Sequence, residues 1–146
     1  MLKILIAVDG SDLANRAIEA VGEMVRSGLD VEACLICVSP NIFLEPAFSA
    51  DYSYIAMQKV EEEQRRQQNL TLGKATDLAT AQGLRLADPE RANGVIADEI
   101  VRVAKERKVN QIAMGTRGMG ALGSVFMGSV AQRVVHQSPV PVLLAK

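Results

Sequence analysis

The stretch Gly115 to Ser129, GTRGMGALGSVFMGS, holds two overlapping arrangements of glycine that could each cradle a phosphate. Gly118, Gly120 and Gly123 spell G-x-G-x-x-G, a spacing that lets a dinucleotide's pyrophosphate approach backbone amides. Gly115 and Gly118, then nine residues, then Gly128 and Ser129 make a second arrangement, G-x-x-G followed by G-S. The two predict different ligands. Two further sets of side chains carry potential chemistry, the C-x-x-C pair Cys34 and Cys37 and the single histidine, His136.

The dinucleotide spacing belongs after a first strand, opens a helix at once, and needs an acid about twenty residues later to hold a ribose. Here no Asp or Glu follows Glu106. That match is accidental. The second arrangement is physically coherent: Gly115 ends a strand, Gly118 allows a turn that a side chain would obstruct, and Gly128-Ser129 opens a helix. Phosphates between them would meet free amide hydrogens, the positive end of a helix dipole and the Ser129 hydroxyl. The intervening MGALGSVFM would pass around the anion as a flexible loop. Five cations and no acids after Glu106 add a mild attraction, and Arg117 is the cation placed at the site. Glycines in such a loop are often only turn formers, so the whole constellation, not G-x-x-G alone, carries the reading.

The cysteines lie in VEACLICVS, an apolar run that reads as a buried strand. Side chains three apart on a strand point to opposite faces, and a redox pair needs a helix N-terminus to lower its thiol pKa. Both are read as core thiols. His136 lacks the partners and spacing of a zinc site and reads as a helix-surface residue.

The elements that must position these residues follow from periodicity. LKILIAV (Leu2 to Val8) is a first strand, followed by a helix with Leu13, Ala17, Ile18, Val21 and Val25 on one face and Gly28 as its stop. Val31 to Val38 is a second strand. A helix from Ile55 to Gln82 has a charged and polar middle, KVEEEQRRQQNL, read as a solvated face. Gly83 to Asp88 is a third strand, and the next helix puts Val95, Ile96, Ile100, Val103 and Ala104 inward. NQIAMG is a fourth strand, GSVAQRVVHQS a last helix, and Val140 to Ala145 a fifth strand.

Apolar strands alternating with helices predict an α/β fold, a single open five-stranded parallel sheet in the order 3-2-1-4-5 with helices on both faces, Rossmann-like. Ligands of such sheets bind beyond the carboxyl ends of the strands at the switch point, here between strands one and four. The residues there would be Val8-Asp9-Gly10-Ser11 and Gly115-Thr116-Arg117-Gly118. A length of 146 residues predicts one domain, 1–146. With 49% hydrophobic residues, 23% charged and a formal charge of -1, the composition is that of a soluble globular protein and does not advertise nucleic acid. The opening MLKILIAVDG is too short and too poor in cations for a leader or a membrane span, so a cytoplasmic protein is expected.

Taken together, KILIAVDGSDLANRAIEAV and IAMGTRGMGALGSVFMGSVAQRVVHQSPVPVLLAK resemble the universal stress protein family over nearly the whole chain. The G-x-x-G, nine residues, G-S signature is similar to that of its ATP-binding branch. The resemblance implies an adenine nucleotide, ATP or else ADP or AMP. Ala7, Val8 and Asp9 would line its adenosine end, with Asp9 near the base and ribose, and the Val38 backbone would contact adenine. Met114 and Gly115 would lie along the ribose; Arg117, Gly118, Gly128, Ser129 and Val130 would hold the phosphates. A magnesium ion would be held through those phosphates and not by protein ligands. The sequence departs from the family where an acid before the fourth strand is replaced by Asn110, expected at the strand's far end, and where G-x-P-A appears as Gly94-Val95-Ile96-Ala97. The loop Ser39 to Tyr54 is variable in the family and could cover the base.

The function expected is that of a nucleotide-binding regulatory protein in a stress response. The alternatives are a slow ATP hydrolase, for which no Walker lysine is present, and a dimeric scaffold with an empty site. A homodimer through Val140 to Ala145 is expected, because an apolar edge strand needs cover, and the resemblance implies the same contact.

Overall fold

The structure, a computed structural model, describes residues 1–41, 54–118 and 126–146. The chain runs β1 (Leu2–Ala7), α1 (Asp12–Arg26), β2 (Val31–Ser39), α2 (Tyr54–Ala81), β3 (Arg85–Leu86), β4 (Glu90–Asn93), α3 (Ile96–Glu106), β5 (Gln111–Gly115), α4 (Ser129–Gln137) and β6 (Val142–Ala145). All pairings are parallel, and the order is β3-β2-β1-β5-β6 with β4 also on β2. The expected architecture and order hold.

Among the described residues the sheet has six strands instead of five because the third expected strand is broken and runs further than Asp88. Between the pairs Ala33↔Leu86 and Ile36↔Glu90, β2 spends two residues and the edge chain three, Ala87, Asp88 and Pro89. Pro89 has no amide to give a ladder, so the extra residue is absorbed there as a bulge. The Asp88 carbonyl turns instead to the Cys34 thiol, which donates to it at 3.4 Å.

Period-two alternation assigns the strand side chains to two apolar layers. Ile4, Ile6, Ala33, Leu35, Cys37 and Ala113 face α1 and α2, with Ala17, Ile18, Val21, Leu72, Ala75 and Ala79 against them. Leu5, Cys34, Ile36, Ile112 and Met114 face α3 and α4, with Ala97, Ile100, Val103, Ala131 and Val134. Cys34 and Cys37 therefore lie on opposite faces, as the strand reading requires, both as free thiols. Burial raises the pKa of each, that of Cys37 to about 11, with the charge of Asp9 as a further cause.

α1 begins where Ser11 accepts from the Ala14 N–H at 3.2 Å and ends before Gly28, whose φ of +95 a side chain would resist. In α3 the inward face is as expected except at Val95, which is the N-cap and 47% exposed. His136 is exposed in the last turn of α4. Asn110 sits at the far end of the sheet, where its Oδ1 accepts from the Lys3 N–H at 2.8 Å and its own N–H donates to the Lys3 carbonyl at 2.8 Å. Among the described residues, no helix is long and apolar enough to cross a membrane.

Candidate functional site

Between β1 and β5 the connections leave for opposite faces, β1 into α1 and β5 towards α4, so their carboxyl ends part and leave a crevice. It encloses about 400 Å³. All eleven residues expected at the site line it: Ala7, Val8 and Asp9 from the end of β1, Val38 from β2, Met114, Gly115, Arg117 and Gly118 from β5 and its turn, and Gly128, Ser129 and Val130 from the start of α4. Residues more than a hundred positions apart in sequence meet here because the two strands are neighbours.

The turn after β5 is held at both sides. The Thr116 N–H donates to the Ala145 carbonyl at 2.8 Å, and the Thr116 carbonyl accepts from the Gly128 N–H at 2.7 Å. The first helical bond of α4 runs from the Gln132 N–H to the Gly128 carbonyl at 3.0 Å. Helix geometry thus leaves the amides of Ser129, Val130 and Ala131 without an intrahelical acceptor, and no side chain of the N-cap, Gly128, covers them. These amides, with the positive end of the helix dipole, form the anion-attracting end of the crevice. The Gly128 amide itself is already engaged.

The glycines owe their place to close approach and not to backbone sign. Gly128 has a φ of -64. A Cβ on Gly115 would lie 2.8 Å from the Leu13 Cβ and 3.0 Å from its carbonyl carbon, inside the first turn of α1. On Gly128 it would be 3.3 Å from the Thr116 carbonyl oxygen, and on Gly118 2.8 Å from the Asp9 Oδ2. That last distance places the Asp9 carboxylate beside Gly118. Its Oδ1 accepts from the Ser11 N–H at 2.9 Å, which fixes the carboxylate over the turn at Gly10, where φ is +83.

The opposite end of the crevice is apolar, with a backbone edge at Val38. The Ile36 carbonyl accepts from the Val8 N–H at 2.9 Å, so it faces β1, whereas the Ser39 carbonyl accepts from the Gly94 N–H at 2.9 Å and faces β4. Alternation along the strand turns the Val38 N–H and carbonyl towards β1, beyond the point where β1 has ended. They form a donor and acceptor pair at the crevice wall.

Ser11 and Thr116, expected at the switch point, line the crevice as well, whereas sequence reasoning did not place Ala14, Ile36, Ile96, Ile100 and Ala131 there. Ile96 and Ile100 carried a signal, since their spacing put them on the inward face of α3. Gly120 and Gly123, most of the loop from Ser39 to Tyr54, and most of MGALGSVFM lie outside the described residues. Among the described residues, no group of three or more His, Cys, Asp or Glu could hold a metal ion.

A model of the universal stress protein family matches residues 1–146. The chain is 34% identical over 144 residues to the Thermus aquaticus universal stress protein in the QAH/OAS sulfhydrylase 3′ region, covering 98% of this chain and 97% of the relative. It is 29% identical over 147 residues to universal stress protein YxiE of Bacillus subtilis, covering 99% and 98%. Among solved structures it is similar to MJ0577 of Methanocaldococcus jannaschii, with a TM-score of 0.81 at 23% identity over 99% of this chain and 94% of the other. Structures of the same fold hold AMP in an Arabidopsis thaliana protein (TM-score 0.71, 20% identity), dAMP in a universal stress protein from Archaeoglobus fulgidus (0.62, 22%) and cAMP in a further universal stress protein (0.59, 23%). At these identities the structural likeness carries the fold alone.

Proposed function

We propose that this chain, which belongs to the universal stress protein family, binds an adenine nucleotide in the crevice between β1 and β5 and acts as a regulatory protein whose state depends on that occupancy. The observation that carries the reading is the joining, in one cavity, of an apolar compartment with a backbone donor and acceptor at Val38 to the uncapped start of α4. A purine fits the first and phosphate the second. That related folds hold AMP, dAMP and cAMP supports the choice of adenine.

ATP is the nucleotide proposed, in a stress response, with magnesium held by its phosphates. Arg117, half-buried at the turn, supplies positive charge beside the α4 amides. We place no catalytic residue here. The deciding measurement is mass spectrometry of the small molecule released when the purified protein is denatured, with calorimetric titration of ATP, ADP and AMP into stripped protein. Adenine nucleotide retained, or bound at one per chain, is the expected result; a stripped protein that binds none of the three would refute the reading.

The homodimer is proposed through β6. The carbonyls of Pro141 and Ala145 accept from Ile112 and Thr116, so 141, 143 and 145 face β5, and the backbone groups of Val142 and Leu144 point to the open edge. The missing Pro141 amide is thus on the β5 side and leaves the edge intact. Pairing with a second β6 would satisfy both edges through a closed two-fold contact. Val142→Pro removes an outward donor and should yield a monomer in light scattering; a wild-type protein that runs only as a 15.7 kDa monomer at micromolar concentration would end this part of the proposal.

A further inference from the structure

The charged middle of α2 contains an exception to its solvated character. Gln68 is 4% exposed, one of two buried polar side chains among the described residues, and it stands in line with Leu72, Ala75 and Ala79, which pack into the core. At that helical position a leucine would simply extend the apolar stripe. Instead the Gln68 Nε2 donates to the Ala92 carbonyl at 2.9 Å and the Asn93 Oδ1 at 3.1 Å, with the Cys37 carbonyl at 3.5 Å. Ala92 is the register partner of Val38, and Cys37 is its chain neighbour.

One turn away on either side, the same face of α2 reaches the segments that follow β2 and β1. The Gln64 Nε2 donates to the Pro40 carbonyl at 2.9 Å, just past the end of β2. The Thr71 Oγ1 lies 3.9 Å from where a Cβ on Gly10 would stand. Gln64, Gln68 and Thr71 therefore form a polar stripe along the carboxyl ends of β1, β2 and β4, with the buried member at its centre. A buried amide is costly to leave unpaired, so Gln68 holds the β2–β4 seam in one register relative to α2.

We propose that Gln68 is a positioning residue for base recognition: without touching the ligand, it fixes the seam that presents the Val38 N–H and carbonyl to the crevice, and so sets selectivity among purines. The inference rests on the nucleotide reading above. The chemistry is directional. Adenine offers a ring acceptor at N1 beside a donor at its 6-amino group, which matches one N–H and one carbonyl; hypoxanthine offers a donor at N1 and an acceptor at O6. Holding one backbone geometry separates the two, and a seam free to shift by a fraction of an ångström separates them less.

The test is calorimetry with AMP, IMP and ribose 5-phosphate on wild type, Gln68→Leu and Asn93→Ala, with the melting temperature of each. Gln68→Leu should lower the AMP-to-IMP affinity ratio about fivefold, the worth of one hydrogen bond, while ribose 5-phosphate binding stays within twofold. Asn93→Ala should move the ratio in the same direction by less, and it decides the matter if Gln68→Leu does not fold. A purely structural Gln68 would lower the melting temperature and leave the ratio unchanged, which overturns the inference while wild-type AMP binding stands. Wild type that binds no AMP overturns the nucleotide reading and this inference with it.

Discussion

The two ends of the sheet spend their polar groups in opposite ways. At the amino ends of the strands the groups close on one another: Lys3 and Asn110 exchange two hydrogen bonds, Arg107 forks onto Glu90, Asp30 meets Arg85 and the Met1 amine, and the hollow left is about 60 Å³. At the carboxyl ends the α4 amides and the Val38 edge face a space more than six times larger. Binding capacity comes from what the fold leaves unpaired. Parallel topology dictates which end that is, because the crossover helices begin there and bring their positive poles with them.

The largest effect should come from distorting the open end. Gly115→Val would force atoms into the first turn of α1, where the backbone cannot yield as a flexible side chain does. Calorimetry should show nucleotide binding abolished, with a stability loss of about 1–3 kcal/mol in denaturant titration. Retained affinity would mean that the crevice is not the site.

The two thiols sharpen the contrast, since Cys37 lies towards Asp9 and Cys34 towards Arg107. For Cys34 burial raises the pKa, Arg107 works against it, and Glu90, Asp88 and Glu32 add to the rise; for Cys37 burial raises it and Asp9 adds to the rise, to about 11 against 9.0 unperturbed. Thiolate absorbance of Cys34→Ala should therefore show Cys37 ionising well above an ordinary thiol, near pH 11. A raised folded-state pKa means stability present below pH 9 and lost as pH rises towards about 11. Over that window Cys37→Ala should lose less stability than wild type, and equal slopes would contradict this.

A smaller effect is expected from Asp9→Asn. The amide keeps an acceptor for the Ser11 N–H and removes a negative charge beside Gly118. If phosphates occupy that end, magnesium-free ATP should bind about three- to tenfold more tightly relative to AMP, consistent with a screened charge pair. An unchanged ATP-to-AMP ratio would place the phosphates elsewhere. At the closed end, Asn110→Ala should cost only about 1 kcal/mol of stability and leave nucleotide affinity untouched, so a loss of binding there would break the division between the two ends.

Much of this was legible without coordinates. Alternating apolar strands and 3.6-residue stripes specified helices, strands and their order, because each is a local pattern that must bury one face. The glycine spacing marked Gly115, Gly118, Gly128 and Ser129, the switch-point rule brought in Val8 and Asp9 from a distant strand, and the resemblance added Ala7. Strand periodicity alone separated Cys34 from Cys37. The bulge at Pro89 was missed, since a slip of one residue depends on how an edge chain meets its neighbour and not on its own periodicity.

What only the tertiary structure decided are the relations between segments. The first turn of α1 behind Gly115, the Asp9 carboxylate beside Gly118 and the outward backbone of Val142 and Leu144 all depend on which strand lies next to which. Gln68 shows the limit most clearly: in sequence it is one polar residue within KVEEEQRRQQNL, and its burial follows from where α2 crosses the ends of β2 and β4. A sequence records the period of a helix face, but whether a polar residue on that face meets water or a buried carbonyl depends on the atoms another part of the chain brings to it.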